Sequence, residues 1–189
     1  GTLITQGFIA SNENGETVLL GRGGSDTSAS YLAAKLKSDG IEIWTDVPGI
    51  YSANPRIVRG TRQIKILNYP EAQEIASTGG SILHPRCLAP LRQEKIPLQI
   101  LCTDQPNLSG TMVSDKVHNI TPGVRSISRR TGITLVSMET LGMWHKIGFL
   151  SDAFRCFSNL GLSIDLISTS ETNVTVTLDK ETHDIDSSK

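Results

Sequence analysis

Leu20-Gly21-Arg22-Gly23-Gly24-Ser25-Asp26 lies between the short apolar run Thr17-Val18-Leu19-Leu20 and a segment with Ala29, Leu32, Ala33 and Leu36 at i, i+3, i+4 and i+7. The first run has the pattern of a strand and the second presents one apolar helical face. A glycine-rich turn from strand to helix gathers free backbone amides at the positive end of the helix, which makes an anion site. Glycines let the backbone approach a ligand closely, and the Arg22 guanidinium adds a planar fork for a carboxylate or phosphate. The spacing misses the dinucleotide fingerprint, because Thr27 stands three residues after Gly24, and it lacks the Lys-Ser/Thr ending of a P-loop. A tight turn with a salt-bridged arginine fits the same residues. Ser25 and Asp26 are both good N-caps, so the helix is expected to start there and to end at Gly40.

Reading outward, residues 7–10 and 17–20 form a hairpin about the turn-rich Asn12-Glu13-Asn14-Gly15. Residues 41–45 read as a strand, followed by a loop holding Pro48, Gly49, Asn54 and Pro55. Helices are expected over 69–77 and 82–94, the second kinked or split by Pro85 and Pro90, and strands over 96–102 and 110–113. This alternation predicts an α/β fold with a largely parallel, covered sheet. The polar stretch 118–124 reads as a linker. Beyond it, strand 133–138 precedes a helix carrying Phe149, Leu150, Ala153, Phe154, Phe157 and Leu160 on one face, closed by Gly161. Strands 163–168 and 173–178 follow. That β-α-β-β order matches the first four elements of a ferredoxin-like unit. The expected organisation is a first domain over 1–117, the linker, a partial second domain over 125–180 and a polar, disordered tail over 181–189.

Composition narrows the function classes. A hydrophobic share of 38% with 20% charged residues is that of an ordinary soluble domain, and a net charge of −1 gives no general attraction to nucleic acid or anionic membrane. No apolar run approaches the roughly 20 residues of a membrane span, and the first residues have no signal-peptide pattern. Cys87, Cys102 and Cys156 form neither a disulfide framework nor a zinc pair, which fits a reducing cytoplasm. His118, His145 and His183 show no metal spacing, so no metal site is expected; His84, before Pro85 at a helix start, reads as a cap or core histidine. A second chemical feature is Trp44-Thr45-Asp46-Val47-Pro48-Gly49-Ile50-Tyr51, with Asn54-Pro55-Arg56 after it. Thr45 and Asp46 end a strand, where open α/β sheets bind ligands; Tyr51 offers a ring for a base or ribose, and Arg56 a charge for phosphate. A plain surface loop is the equal alternative.

Taken together, residues 20–26, 44–51, 54–56 and Ile82-Leu83-His84-Pro85 resemble the aspartate kinases of the amino acid kinase superfamily, in that family's order and spacing. Residues 142–150 and 163–171 are similar to the first ACT domain of its lysine-sensitive branch, which includes forms fused to a diaminopimelate decarboxylase. The resemblance implies the C-terminal part of a three-layer αβα kinase domain followed by a partial ACT domain. It implies ATP-dependent phosphorylation of the L-aspartate side chain to 4-phospho-L-aspartate, with Mg²⁺, at the head of lysine, threonine and methionine synthesis. Arg22 and Asp26 would be catalytic; Arg22, Gly23, Gly24 and Ser25 would bind aspartate; Thr45, Asp46, Tyr51, Arg56, Ser81 and Ile82 would bind the nucleotide. Ser81 departs from the family's usual lysine. Met143, Phe149, Leu150, Ile164, Asp165, Ser170 and Glu171 would bind an amino-acid effector, expected to be lysine, although Phe149, Leu150 and Ile164 equally fit a plain core. Lys146 departs from the family's usual small polar residue. A homodimer through ACT domains is implied. The family's Lys-Phe-Gly-Gly segment is not in the chain, so the 189-residue polypeptide is expected to lack kinase activity by itself. The alternatives are another kinase of the superfamily and a non-catalytic, amino-acid-sensing fragment that dimerises through its ACT portion.

Overall fold

A computed structural model describes residues 1–79, 82–116, 123–140 and 146–178. Ser81 and Met143 of the expected site residues, the 117–122 part of the expected linker and the tail beyond 178 lie outside the described residues. The described chain falls into two compact units, residues 1–129 and residues from 130 on.

The first unit opens with an antiparallel hairpin, β1 (Ile9–Ser11) and β2 (Thr17–Leu19), closed by the Asn12 side chain. Asn12 Oδ1 accepts from the amides of Asn14 (3.0 Å) and Glu16 (2.9 Å), an Asx turn. Strand pairing starts at Ile9 and not at 7, because Phe8 has a left-handed backbone, φ 72°. Helix α1 (Gly24–Leu36) also begins earlier than expected. Gly23, and neither Ser25 nor Asp26, is its N-cap: at φ 64° it turns the chain into the helix before either polar side chain can cap it. The helix ends before Gly40. Lys37 takes the left-handed position, φ 50°, and the amides of Lys37 and Ser38 return to the carbonyls of Ala34 and Ala33 in a Schellman closure.

Four strands form the main sheet: β3 (Ile41–Thr45), β4 (Ile66–Leu67), β5 (Leu98–Cys102) and β6 (Thr111–Val113), in the order β3-β5-β6-β4. β3 runs parallel to β5, from Ile41 opposite Leu98 to Thr45 opposite Cys102, and β4 runs parallel to β6. The β5–β6 pair is antiparallel, so the sheet is mixed where the sequence suggested a largely parallel one. Residues 103–110 are too few for the crossover a parallel pair needs, whereas a short turn suffices for an antiparallel one. Helix α2 (Tyr69–Ser77) carries a capping box, with Asn68 Oδ1 accepting from Glu71 N and Glu71 accepting from Asn68 N. The expected helix over 82–94 is split into a 3₁₀ turn (Pro85–Cys87) and α3 (Leu88–Glu94). Pro85 begins the turn and Pro90 sits in the first turn of α3, positions where no backbone donor is missed.

The core under these helices contains Ile43, Leu67, Tyr69, Ala72, Leu88, Leu91, Leu98, Ile100 and Val113, all buried. Two polar groups inside it are matched. Tyr69 donates its hydroxyl to the Ile96 carbonyl, and burial pushes its phenol further up from the ordinary tyrosine range. Thr111, fully buried, accepts from Ile50 N (2.8 Å) and donates to Ile64 O (2.7 Å). It thereby ties the loop after β3 to the segment that leads into β4. Residues 123–129 lie along the same unit: Arg125 Nη2 donates to Ile66 O (2.7 Å), Ser126 Oγ to Tyr51 O (3.1 Å) and Ile127 N to Ser52 O (2.8 Å).

The second unit contains β7 (Thr134–Glu139), α4 (Phe149–Asn159), β8 (Ile164–Thr169) and β9 (Asn173–Leu178), giving an antiparallel sheet of order β7-β9-β8. One face of β9 buries Val174, Val176 and Leu178 against Phe157 of α4, with Val136, Met138, Phe149, Phe154 and Ile164 around them. The β-α-β-β order read from the sequence is the order observed. Among the described residues no helix is long and apolar enough to cross a membrane.

Thr111→Val removes one donor and one acceptor while nearly keeping the shape, and leaves Ile50 N and Ile64 O without their partner. A loss of about 1–3 kcal/mol is expected in urea denaturation. A midpoint unchanged from wild type would show that the two loops hold without this hydroxyl.

Candidate functional site

Helix α1 packs back on β3, so its N-terminus lies at the carboxyl end of that strand, and β5, parallel to β3, ends on the same side. This is the side on which open α/β sheets take ligands. The glycine loop is built tightly there. Gly24 N donates to Gly21 O (3.0 Å), while Thr27 sends both its amide (2.9 Å) and its hydroxyl (2.8 Å) to the Gly23 carbonyl. At Gly23 a side chain is excluded twice. The backbone is left-handed, and a Cβ placed there would overlap His84 Cβ and stand 2.5 Å from His84 Cγ. Gly24 is buried, and a Cβ there would meet Phe8 Cδ2 at 2.7 Å. His84 and Phe8 thus back the loop on two sides.

Arg22 and Ser25 are exposed on this loop and Asp26 is half-buried in the first turn of α1. Burial raises the Asp26 carboxyl above the ordinary aspartate range, and the neighbouring His84 opposes part of that rise. Beneath Asp26, the Cys87 thiol is pushed up to about 12 by burial first and by Asp26 second, so it stays protonated and unreactive at neutral pH. Ser30 is fully buried beside that sulfur; its contact relieves a little of the thiol's rise, yet falls outside normal hydrogen-bond geometry.

The second cluster stands at the end of β3. Thr45 Oγ1 donates to Asp46 Oδ1 (3.1 Å), and Arg56 Nη2 stands 3.7 Å from Asp46 Oδ2, both side chains being well exposed. Asn54 holds the Arg56 turn, accepting from Arg56 N at 2.9 Å on its side chain and from Ile57 N and Val58 N on its carbonyl. Tyr51 is half-buried, bridged to Gln63 and receiving the Ser126 hydroxyl on its carbonyl. Thr103, just after β5, donates amide and hydroxyl to Thr45 O. Ile82 packs on the core two residues before His84, which brings the third segment of the sequence pattern against the glycine loop.

In the second unit the expected effector residues separate into two kinds. Phe149 and Ile164 pack on the core of that unit, while Leu150 is exposed. Asp165 is engaged by Arg130 at 3.4 Å, and Ser170 and Glu171 lie in the tight turn between β8 and β9, where Ser170 Oγ accepts from Asn173 N at 3.1 Å. No group of three His, Cys, Asp or Glu side chains among the described residues forms a metal cage. From the sequence, Phe8 reads as part of a strand and His84 as a cap or core histidine. The only signal for His84 was its place before proline at a helix start, and nothing in the sequence marks Phe8 as left-handed.

The parallel β3–β5 core, the glycine loop capping α1 and the Thr45–Arg56 loop at one sheet end define an α/β domain with a glycine-rich loop and a polar loop at its ligand-facing edge. Residues 2–102 match the model of the amino acid kinase family, and the chain belongs to that family. It is similar to the lysine-sensitive aspartokinase 3 of Escherichia coli K12, 42% identical over 179 residues, 95% of this chain and 40% of that protein. Two solved structures of E. coli aspartokinase III are similar over the same share. The complex with aspartate and ADP (R-state) gives a TM-score of 0.85 at 42% identity, covering 95% of this chain and 40% of that one. The complex with lysine and aspartate (T-state) gives 0.76 at 41% identity, covering 94% and 40%. The chain thus spans about 40% of the length of these relatives.

Two substitutions test the loop. Gly21 and Gly23 are both left-handed, but only Gly23 lacks space for a side chain. Gly21→Ala is expected to cost about 1 kcal/mol from the backbone alone. Gly23→Ala adds an overpacking cost of about 1–3 kcal/mol against His84, read as the difference between the two urea midpoints. Equal losses would contradict the packing. For Asp26 the folded-state carboxyl binds its proton more tightly than the unfolded one. The stability so gained is present at acid pH and lost as pH rises through the raised folded value. Asp26→Asn is expected to be more stable than wild type at pH 7, with the margin shrinking as pH falls through the raised folded value and gone below about pH 4. A margin that grows on acidification would reverse the sign of the burial effect.

Proposed function

We propose that the chain carries the aspartate-gripping side and the nucleotide loop of an aspartate kinase, followed by part of an amino-acid-sensing ACT domain. The reading rests on one observation above all: a glycine loop that caps a helix with bare backbone and presents Arg22 and Ser25 at the ligand side of the sheet. The Arg22 fork and the bare backbone of Gly23 and Gly24, which lets a ligand come close, would take a carboxylate of L-aspartate, with Ser25 adding a hydroxyl. Thr45, Asp46, Tyr51, Arg56, Ser81 and Ile82 would bind the nucleotide. Phosphoryl transfer to the aspartate side chain asks mainly for positioning and for cations near the transferred group. Asp26, costly to keep ionised where it stands, is the group in the loop that an acid–base or orienting role would require. Mg-ATP would supply the divalent charge that offsets the phosphates.

In the second unit, Met143, Phe149, Leu150, Ile164, Asp165, Ser170 and Glu171 would take an amino-acid effector, lysine being the candidate that E. coli aspartokinase III supports through its lysine complex. Asp165 and Glu171 provide the negative charge for its ammonium groups, and pairing of two such units would make a homodimer.

Calorimetry of the 189-residue chain with L-aspartate, Mg-ADP and L-lysine tests the reading. Aspartate is expected to bind, and Arg22→Ala to weaken it about tenfold or more, the worth of a charge-assisted pair. Aspartate heat that is absent, or indifferent to Arg22→Ala, overturns the assignment of the loop. Binding of lysine without aspartate or Mg-ADP would favour a sensing role alone.

A further inference from the structure

In the second unit, two cations of the chain itself stand on groups that an incoming cation would use. Lys146, exposed just ahead of α4, carries its Nζ over the Phe149 ring, 5.8 Å from the ring centroid. That lies within reach of a cation–π contact, in which the ammonium is drawn to the negative face of the ring. The backbone holds the two residues in this relation. Phe149 N donates to Lys146 O (3.3 Å), and Gly148, left-handed at φ 84°, turns the chain into α4 between them. On the opposite side of the charge balance, Arg130 Nη1 stands 3.4 Å from Asp165 Oδ2, the two side chains being only 32% and 33% exposed. Phe149 and Ile164 pack on one core, and Asp165 follows Ile164 on β8. The carboxylate is thus one residue removed from the core to which the ring belongs. A ligand's ammonium is recognised by these two kinds of group, an aromatic face and a carboxylate. In this chain each of them holds a cation before any ligand arrives.

We propose that Lys146 and Arg130 are built-in competitors of a cationic effector, so that lysine gains its contacts on Phe149 and Asp165 only by displacing them. This rests on the reading of Phe149 and Asp165 as effector residues. The Lys146 side chain has the same flexible stem and ammonium as free lysine, and its tether keeps it at a high local concentration beside the ring. Against that, contacts between partly exposed groups are weak, and a displaced ammonium regains its water. The competition lowers the affinity for lysine without abolishing it. An amino acid with an uncharged side chain brings one ammonium instead of two, so it has fewer of these contacts to win. The two residues therefore shift the unit's preference away from basic effectors.

Calorimetry of the 189-residue chain with L-lysine and with L-norleucine, which keeps the straight side chain and lacks its ammonium, reads the competition. Lys146→Met removes the charge from an exposed, unbranched side chain and leaves the core of the unit untouched. Lysine is expected to bind Lys146→Met about two- to fivefold tighter than wild type, the worth of an exposed cation–π contact. Adding Arg130→Gln is expected to bring the gain to about tenfold. Norleucine is expected to gain less from the double substitution than lysine does. Proton–carbon NMR of the chain labelled at the lysine ε-carbons reads the displacement itself. The Lys146 ε-methylene, assigned by its loss in Lys146→Met, is expected upfield of the other lysines under the Phe149 ring, and to return to their position as unlabelled lysine is added. A Lys146 signal that starts among the other lysines, or keeps its upfield place while lysine binds, overturns the proposal. Equal gains for lysine and norleucine would mean that the substitutions open space rather than release charge, and overturn it as well. Lysine that binds all three chains equally removes the competitors and leaves the effector reading standing, whereas lysine that binds none of them removes both.

Discussion

The first unit depends on a contact that leaves no room: the backbone of Gly23 against the side chain of His84. Gly23 must be left-handed to turn strand β2 into helix α1, and it must lack a side chain because the segment leading into the 3₁₀ turn is packed directly behind it. Those two demands fix where α1 starts, and the start of α1 fixes which residues face the ligand side. Had the helix begun at Ser25 or Asp26, their side chains would have been spent on capping. With Gly23 as the cap, Ser25 stays exposed and Asp26 is drawn partly inside. The Thr27 hydroxyl and amide, both bound to the Gly23 carbonyl, hold this arrangement from the helix side.

The loop after β3 is held by other means, and the difference bears on function. Its fixed points are internal: Thr111 inside the sheet, Asn54 within the turn and Thr103 on the Thr45 carbonyl. The groups it offers outward, Asp46 and Arg56, form an open ion pair between well-exposed side chains. Such a pair contributes little to stability and is cheap to separate. In the proposed reading, the Arg56–Asp46 contact would be exchanged for contacts with a ligand's phosphates.

Much of this was legible in the sequence where the local signals agreed. Helix 69–77 and strands 41–45 and 173–178 appear with the expected bounds because apolar period, cap and breaker agreed, as with Asn68 and Glu71 around α2. Expectations failed where two local signals competed and tertiary packing chose between them. Ser25 and Asp26 are better caps than glycine by propensity, yet the space beside His84 favoured Gly23. Gly40 is the better helix terminator, yet Lys37 closed α1 once Ala33 and Ala34 could take the two amides. The sheet's mixed direction followed from a connection length, residues 103–110, that strand patterning does not weigh. At the site, the motif residues were readable as types and spacings. The meeting of Gly23 with His84 was not, because the two lie far apart in sequence and meet only through the packing of the 3₁₀ turn on α1.

Three unfavourable features of the first unit lie together. Phe8 holds a left-handed backbone that a bulky residue rarely adopts, and its ring lies against Gly24. Asp26 keeps a carboxylate where burial opposes its charge, and Ser30 buries a hydroxyl without a well-formed hydrogen bond among the described residues. Each costs stability, and each lies within or directly beneath the glycine loop. A fold free to choose would place a hydrophobe at 26 and an extended residue at 8, as it does throughout the well-satisfied core around Leu67, Leu88 and Ile100. Strain and disfavoured charge of this kind persist only where the surrounding packing over-determines them. In this chain, that packing is supplied by the helix and 3₁₀ turn that bring His84 to the loop.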